Sequence, residues 1–352
     1  MPQSDNNSRN NQGHHRTLTY ILIATALLIV AGMAAIMPMM ISGIDEDAVI
    51  RIPRNATLQN VEDSLKRYCG DSYASRVVRL LKVSGDKFHP EQRHGAYRLP
   101  AGTSPFVAAR KLSRGGQDPV RITINGFRSL DYLAERLSRK VDFTPQQFIE
   151  AATDSAYLAS YGLTPANALS LFIDDSYEVY WSATPREVLD KIGANYRNFW
   201  SPENRDVAEE LCLSPGEMMI LASIVDDETN REDEKGTIGR LYINRLNHSM
   251  KLQADPTVKF ALQDFDIRRV TREHTTVDSP YNTYRYAGLP PGPLRTTSRA
   301  TLAAILNSSP SPYLYMCAKE DFSGYHNFAA TYEEHIANAL RYQHELDVRN
   351  IK

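Results

Sequence analysis

The chain has 352 residues, 42% of them hydrophobic, which is enough to bury two modest cores and excludes a wholly disordered polypeptide. Forty Lys and Arg stand against 42 Asp and Glu, for a formal charge of −2, so there is no global basic field to hold nucleic acid and no nucleic-acid partner is expected. The three cysteines, Cys69, Cys212 and Cys317, show neither CxxC nor Cys/His metal spacing; they read as small buried apolar side chains with at most one disulfide between them, and no metal is expected.

Thr17 to Ile44 carries no charged residue and exceeds the ~20 residues that a helix needs to cross a bilayer. It reads as a transmembrane helix; the competing reading, a cleaved signal peptide, has an apolar region of only about 7 to 15 residues. Arg9, His14, His15 and Arg16 precede the run and Asp45, Glu46 and Asp47 follow it. Positive-inside bias therefore predicts a cytoplasmic tail over 1–16, one inner-membrane crossing over 17–44, and an exported remainder.

From Val49 to about Gln117 a pattern repeats. Arg51-Ile52-Pro53 leads to Thr57, Leu65 and Arg67, and Arg98-Leu99-Pro100 leads to Ser104, Leu112 and Arg114 at the same offsets. Each copy predicts a short strand feeding a capped helix, and a third related unit starts at Arg121-Ile122-Thr123-Ile124. Such units resemble LysM-like glycan-binding modules, and a plain α+β spacer fits the same pattern. The turn formers Arg114-Gly115-Gly116-Gln117-Asp118-Pro119 mark a boundary, giving a LysM-like domain over 45–120 and a second domain over 121–352. Phe143 to Trp200 reads as mostly helical, with an acidic and aromatic patch at Asp174-Asp175-Ser176-Tyr177-Glu178. The fold class expected is α+β: an N-terminal transmembrane helix, a small strand-helix domain, then a mixed α/β domain with its acid on a helix.

Ser214-Pro215-Gly216-Glu217 predicts a helix start, with Ser214 as cap, Pro215 in the first turn and Glu217 completing a capping box; the helix then runs through Met218 to about Thr229. At 100° per residue Glu228 shares a face with Leu221, Ile224 and Val225, whereas Asp226 points nearly opposite and Asp227 to one side. A carboxyl on a buried face near a helix C-terminus is disfavoured as an anion by desolvation and by the helix dipole. A rise from about 4.3 to roughly 6 suits a general acid near neutral pH. The alternative is a frayed helix end, solvated or paired with Arg231 or Arg240.

The stretch Leu221-Ala222-Ser223-Ile224-Val225-Asp226-Asp227-Glu228-Thr229 resembles the active-site helix of the membrane-anchored endolytic murein transglycosylases, the YceG-like family. Agreement continues in order through Ile243-Asn244-Arg245-Leu246, Leu252-Gln253-Ala254-Asp255-Pro256-Thr257-Val258, Tyr281-Asn282-Thr283-Tyr284, Gly288-Leu289-Pro290-Pro291-Gly292-Pro293, Pro312-Tyr313-Leu314-Tyr315 and His326-Asn327-Phe328. The resemblance is strong from about Leu213 to His335. It implies that Glu228 is the catalytic acid. The chain departs from the usual family helix in having Asp226 for a first glutamate and Asp227 for a lysine, and it has Ile173 to Tyr177 where a proline-containing turn is common.

The reaction implied is cleavage of the bond between N-acetylmuramic acid and N-acetylglucosamine in nascent peptidoglycan strands. It leaves 1,6-anhydro ends and limits strand length, uses no cofactor, and acts beside penicillin-binding proteins. Tyr281, Tyr284 and Tyr286 offer flat faces for sugars, and Asn244, Gln253 and Asn282 offer paired donors and acceptors. Asn244 equally suits a tie between its helix and a neighbouring loop; Asp255 is either a turn or cap residue or an acceptor that orients substrate or Glu228. Pro290 lies in a rigid segment expected to wall the cleft, and His326 is a structural histidine that can also line the glycan site. Two other functions fit the same residues: a lysozyme-like hydrolase in which Glu228 works with Asp255 or another carboxylate to activate water, and a non-catalytic wall-binding scaffold.

Overall fold

The structure is a computed structural model that describes residues 7–83 and 88–349, with side chains from residue 17 onward except at position 35. The chain divides into two compact units, one running to Pro119 and including Tyr180–Ser182, the other made by 120–179 and 183–352.

In the first unit, helix α1 (Asn7–Ile41) contains the stretch Thr17–Ile41, which is long and apolar enough to cross a membrane and is 0% buried. The helix ends at Ile41, three residues before the end of the expected span at Ile44. Ile44 instead turns into the core, donating from its N–H to Thr103 O at 3.2 Å and accepting from Gly102 N at 2.8 Å.

Strand β1 (Ala48–Ile52), helices α2 (Leu58–Cys69) and α3 (Asp71–Val83), strand β2 (Gly95–Leu99) and helix α4 (Pro105–Arg114) complete this unit. Thr57 caps α2 with a capping box and Ser104 caps α4, as the repeated sequence predicts. The two repeated strands pair with each other, antiparallel, from Ala48↔Leu99 to Ile52↔Gly95. They therefore make one sheet rather than two separate strand-helix modules, because a lone five-residue strand leaves its N–H and C=O groups unpaired. Ile50, Ile52, Leu65, Val77, Leu99 and Leu112 share one core.

The second unit begins within strand β3 (Pro119–Ile124) and continues through helices α5 (Leu130–Ser138), α6 (Pro145–Ala152) and α7 (Ser155–Ala159), strand β4 (Ile173–Tyr180, all but its last residue), and helices α8 (Pro185–Phe199) and α9 (Pro202–Glu210). Helices α10 (Pro215–Glu228), α11 (Lys235–Asn247) and α12 (Asp255–Leu262) follow, then strand β5 (Thr297–Ser298), helix α13 (Arg299–Leu306), strands β6 (Tyr315–Ala318) and β7 (His326–Ala329), and helix α14 (Tyr332–Val348). One sheet has the order β3-β4-β5, with β4 and β5 parallel; β6 and β7 form an antiparallel hairpin. The acidic patch expected within helices is strand β4. Tyr177 and Val179 are buried while Glu178 and Tyr180 are exposed, a period of two that exposed Asp175 interrupts nearer the start of the strand and that local acidity masks in the sequence.

Helix α10 starts at the predicted capping box and ends at Glu228. It is apolar on every side, not on one stripe, because α11, α12 and α13 all pack around it. Gly239 allows α11 to lie against α13: a Cβ there would stand 2.6 Å from Ile305 Cγ1. All three cysteines are free, and the expected burial fails for Cys212, which is exposed at φ 59° in the turn after α9. Cys69 and Cys317 are half-buried.

Candidate active site

Glu228 closes α10 and opens onto a cleft of about 460 Å³ in the second unit. Leu241, Tyr242 and Arg245 reach the cleft from one face of α11, at spacings of three and four residues. Leu252, Gln253, Asp255 and Tyr284 form another wall, and Cys317, His326 and His335 come from β6, β7 and α14.

The environment of Glu228 holds its proton. Burial is the chief cause, reinforced by the Asp255 carboxylate and more weakly by Asp227, while the Tyr242 hydroxyl and the Lys259 ammonium oppose the shift; the carboxyl is pushed up from 4.5 to about 7. Tyr242 Oη donates to Glu228 Oε2 at 3.2 Å, and burial together with the nearby Glu228 raises the Tyr242 phenol well above its ordinary range, so it remains a donor. Neither arginine proposed as a partner reaches Glu228: Arg231 Nη2 donates to Ser323 O, and Arg240 Nη2 donates to Ser308 O at 2.9 Å.

The two aspartates before Glu228 anchor the helix end. Asp226 does point away from the Glu228 face, but not into solvent: its side chain is 6% exposed, pairs with Lys235 at 2.9 Å, and accepts from the hydroxyls of Thr297 and Thr301. Asp227 accepts from Arg128 Nη2 at 2.9 Å and from Arg295 Nη1 at 3.4 Å. With both sides of the last turn bonded to other elements, the carboxyl that follows is held in one place.

Four of the other predicted site residues line the cleft: Gln253, Asp255, Tyr284 and His326. Gln253 adopts a left-handed φ of 52°, and its Oε1 accepts from Arg245 Nη1 at 3.3 Å. Asp255 Oδ1 accepts the Tyr284 hydroxyl at 2.5 Å, and His326 Nδ1 meets the buried Glu234 carboxylate at 3.0 Å.

The other four lie outside that lining. Asn244 Nδ2 donates to Ser311 O at 2.7 Å and Tyr313 O at 3.0 Å, so it ties α11 to the loop before β6. Asn282 is fully buried, donating to Thr275 O at 2.9 Å and Val277 O at 2.7 Å and accepting from Tyr284 N, which shapes the turn that presents Tyr284. Tyr281 packs on Phe260, with ring centroids 4.6 Å apart. Pro290 is buried outside the cleft lining, in the segment whose Leu294 N donates to Ser223 Oγ of α10 at 2.9 Å. Tyr286 is exposed, its hydroxyl on Asp278.

Tyr242, Arg245, Cys317 and His335 are cleft residues that sequence reasoning missed. Tyr242 immediately precedes the motif built around Asn244 and Arg245 lies within it, and their i, i+3 spacing on a helix was a signal available for them. Cys317 and His335 have none, since a hairpin and a distant helix bring them in. Among the described residues, no group of three or more His, Cys, Asp or Glu side chains is placed to hold a metal.

Together these features make a two-unit α/β protein whose cleft is built around a carboxyl that burial pushes up to about 7. A YceG-like family model matches residues 50–341, and the chain belongs to the YceG-like family. The endolytic murein transglycosylase of Streptococcus pneumoniae serotype 2 (strain D39 / NCTC 7466) is 25% identical over 286 residues, covering 73% of this chain and 52% of that protein. The endolytic murein transglycosylase of Bacillus subtilis (strain 168) is 25% identical over 256 residues, covering 68% of this chain and 70% of that protein. This chain thus spans about half the length of the pneumococcal relative. The crystal structure of a protein from Listeria monocytogenes described as yceG-like shares the fold, with a TM-score of 0.53 at 24% identity over 83% of this chain and 98% of that one.

Proposed function

We propose that this chain is an endolytic lytic transglycosylase of peptidoglycan in which Glu228 acts first as acid and then as base. The observation that carries the reading is one carboxyl, raised to about 7, at the wall of a cleft of about 460 Å³. Glu228 gives its proton to the bridging oxygen as the bond to the muramic C1 breaks. The 2-acetamido oxygen of the same sugar shields the cation, the C6 hydroxyl attacks C1, and the Glu228 carboxylate takes the hydroxyl proton. One strand leaves with a free hydroxyl, the other with a 1,6-anhydro ring, and the enzyme regains its proton. Holding the attacking hydroxyl on the reacting sugar supplies effective concentration without an activated water.

Products of purified glycan strands, resolved by mass spectrometry, test this. Wild-type chain should give 1,6-anhydromuramic ends, and Glu228→Gln should lower the rate by about 10²-fold or more. Reducing ends instead would mean a hydrolase, with Asp255 as the second carboxylate of the cleft. Undiminished cleavage by Glu228→Gln would remove Glu228 from the mechanism, and a wild-type chain that binds strands without cutting them would be a scaffold.

The same reading places the chain in the inner membrane through Thr17–Ile41, N-terminus in the cytoplasm and the rest outside. Alkaline extraction of membranes is the check: full-length chain should stay in the pellet, and recovery in the supernatant would count against the anchor. Glycan binding by the first unit in a LysM-like manner rests on its strand-helix pattern alone. Control of strand length and partnership with penicillin-binding proteins rest on the family resemblance alone.

A further inference from the structure

Arg245 is a buried cation that forms no ion pair among the described residues. The residue is 8% exposed, yet its hydrogen bonds all go to neutral oxygens: Nε to Leu314 O at 2.6 Å, and Nη1 to Lys251 O at 3.0 Å, Leu252 O at 2.7 Å and Gln253 Oε1 at 3.3 Å. Nη2 has no protein partner among the described residues, and Arg245 lines the same cleft as Glu228.

Burying a guanidinium costs free energy that a carboxylate normally offsets, as one does at three other cations of this unit. Lys235, its side chain 8% exposed, is paired with Asp226, and the half-buried Arg128 and Arg295 share Asp227. The two carboxyl groups that share the cleft with Arg245 are engaged elsewhere, Glu228 with Tyr242 and Asp255 with Tyr284. The titratable side chains acting on Arg245 are the tyrosines 242, 315 and 284, and burial draws its pKa down. Burial and the Arg245 charge likewise hold His335 below the ordinary histidine range, so that neighbour adds no second cation at neutral pH.

We infer that Arg245 is a binding residue for a substrate carboxylate, which completes the ion pair that the protein leaves open and selects muramic-acid glycans over neutral ones. The inference rests on the proposed glycan-cleaving function and adds the ligand group that decides specificity. Planar carboxylate suits a guanidinium edge. In peptidoglycan it has two sources: the lactyl carboxylate of a muramic residue stripped of its stem peptide, and the carboxylates of the stem peptide itself.

The experiment uses full-length Glu228→Gln chain, which binds without cutting, and titration calorimetry with matched ligands. One pair is a stripped muramyl oligosaccharide with its lactyl carboxyl free or converted to the methylamide. The other is a peptide-bearing strand with its peptide carboxyls free or methylated. A charge-assisted hydrogen bond predicts that the charged member of one pair binds about tenfold or more tighter than its neutral twin, and which pair discriminates identifies the source. Equal binding within each pair overturns the inference while leaving glycan binding intact. Failure to bind any of the four overturns the proposed function, and this inference with it.

A second arm adds Arg245→Gln and Arg245→Lys to the same background, with circular dichroism to verify folding. Folded Arg245→Gln should lose the discrimination, and Arg245→Lys should restore part of it. A folded Arg245→Gln chain that still prefers the charged ligand would also overturn the inference, whereas a merely structural arginine gives the wild-type cleft no preference to lose.

Discussion

Removing the Tyr242 hydroxyl isolates one cause of the Glu228 shift. Tyr242→Phe deletes a single oxygen from a fully packed side chain and leaves the ring in place. The lost bond, Tyr242 Oη to Glu228 Oε2 at 3.2 Å, is at the long end of its class and stabilises the anion. A hydrogen bond to a charged group contributes about 1.5–3 kcal/mol, and the lower end corresponds to roughly one pKa unit. From about 7 the carboxyl should therefore rise by about one unit, so that the free enzyme stays protonated further into alkali. The opposite change is Asp255→Asn, which removes the carboxylate that helps push Glu228 up and should lower it. The assay is kcat/KM for glycan-strand cleavage between about pH 5 and pH 9, read at its alkaline limb, which reports the acid of the free enzyme. The limb should move up for Tyr242→Phe and down for Asp255→Asn. Two limbs that move together, or stay with the wild type, would refute the assignment of Glu228 as the acid whose protonation limits the rate.

Two further perturbations concern stability. In the unfolded chain Glu228 titrates near 4.5, in the native state near 7, so its contribution is intact below 4.5 and is lost as pH rises through that window, where the native carboxyl keeps a proton that the unfolded chain releases. Glu228→Gln should thus be more stable than wild type by up to about 3 kcal/mol above neutrality, and urea midpoints of the two should converge at low pH; a gap that does not change with pH would refute the shift. Asp226→Ala leaves the buried Lys235 ammonium with the exposed Glu232 as its one ion-pair partner among the described residues, beside the neutral Thr301 hydroxyl, and should cost about 3 kcal/mol. Denaturant midpoints within roughly 0.5 kcal/mol of wild type would show that this pair does not anchor the end of α10.

Parts of the site were legible because they depend on neighbours in the chain. The start of α10 follows from Ser214, Pro215 and Glu217, whose capping groups lie within one turn, and the position of Glu228 follows from counting residues around a helix. The repeated strands were legible as strands, but their pairing was not, since nothing local states that residues 48 to 52 meet residues 95 to 99. Asn244 and Asn282 show the limit most clearly. Their amides suit sugar hydroxyls and backbone carbonyls equally, and only the loops that arrive at Ser311, Tyr313, Thr275 and Val277 commit them to carbonyls.

Composition, capping and the 3.6-residue period were sufficient for the apolar N-terminal helix, the α+β character of the remainder, and a carboxyl at the end of an apolar helix. Whether that carboxyl would keep its proton was decided by residues far along the chain: Tyr242 and Asp255 set its field, and Arg245, Cys317, His326 and His335 close the cleft around it. The division has a physical cause. Local propensity acts within about one helical turn, whereas desolvation and Coulomb interaction depend on distance through space, which only the packing of α10, α11, α12 and the β6-β7 hairpin establishes.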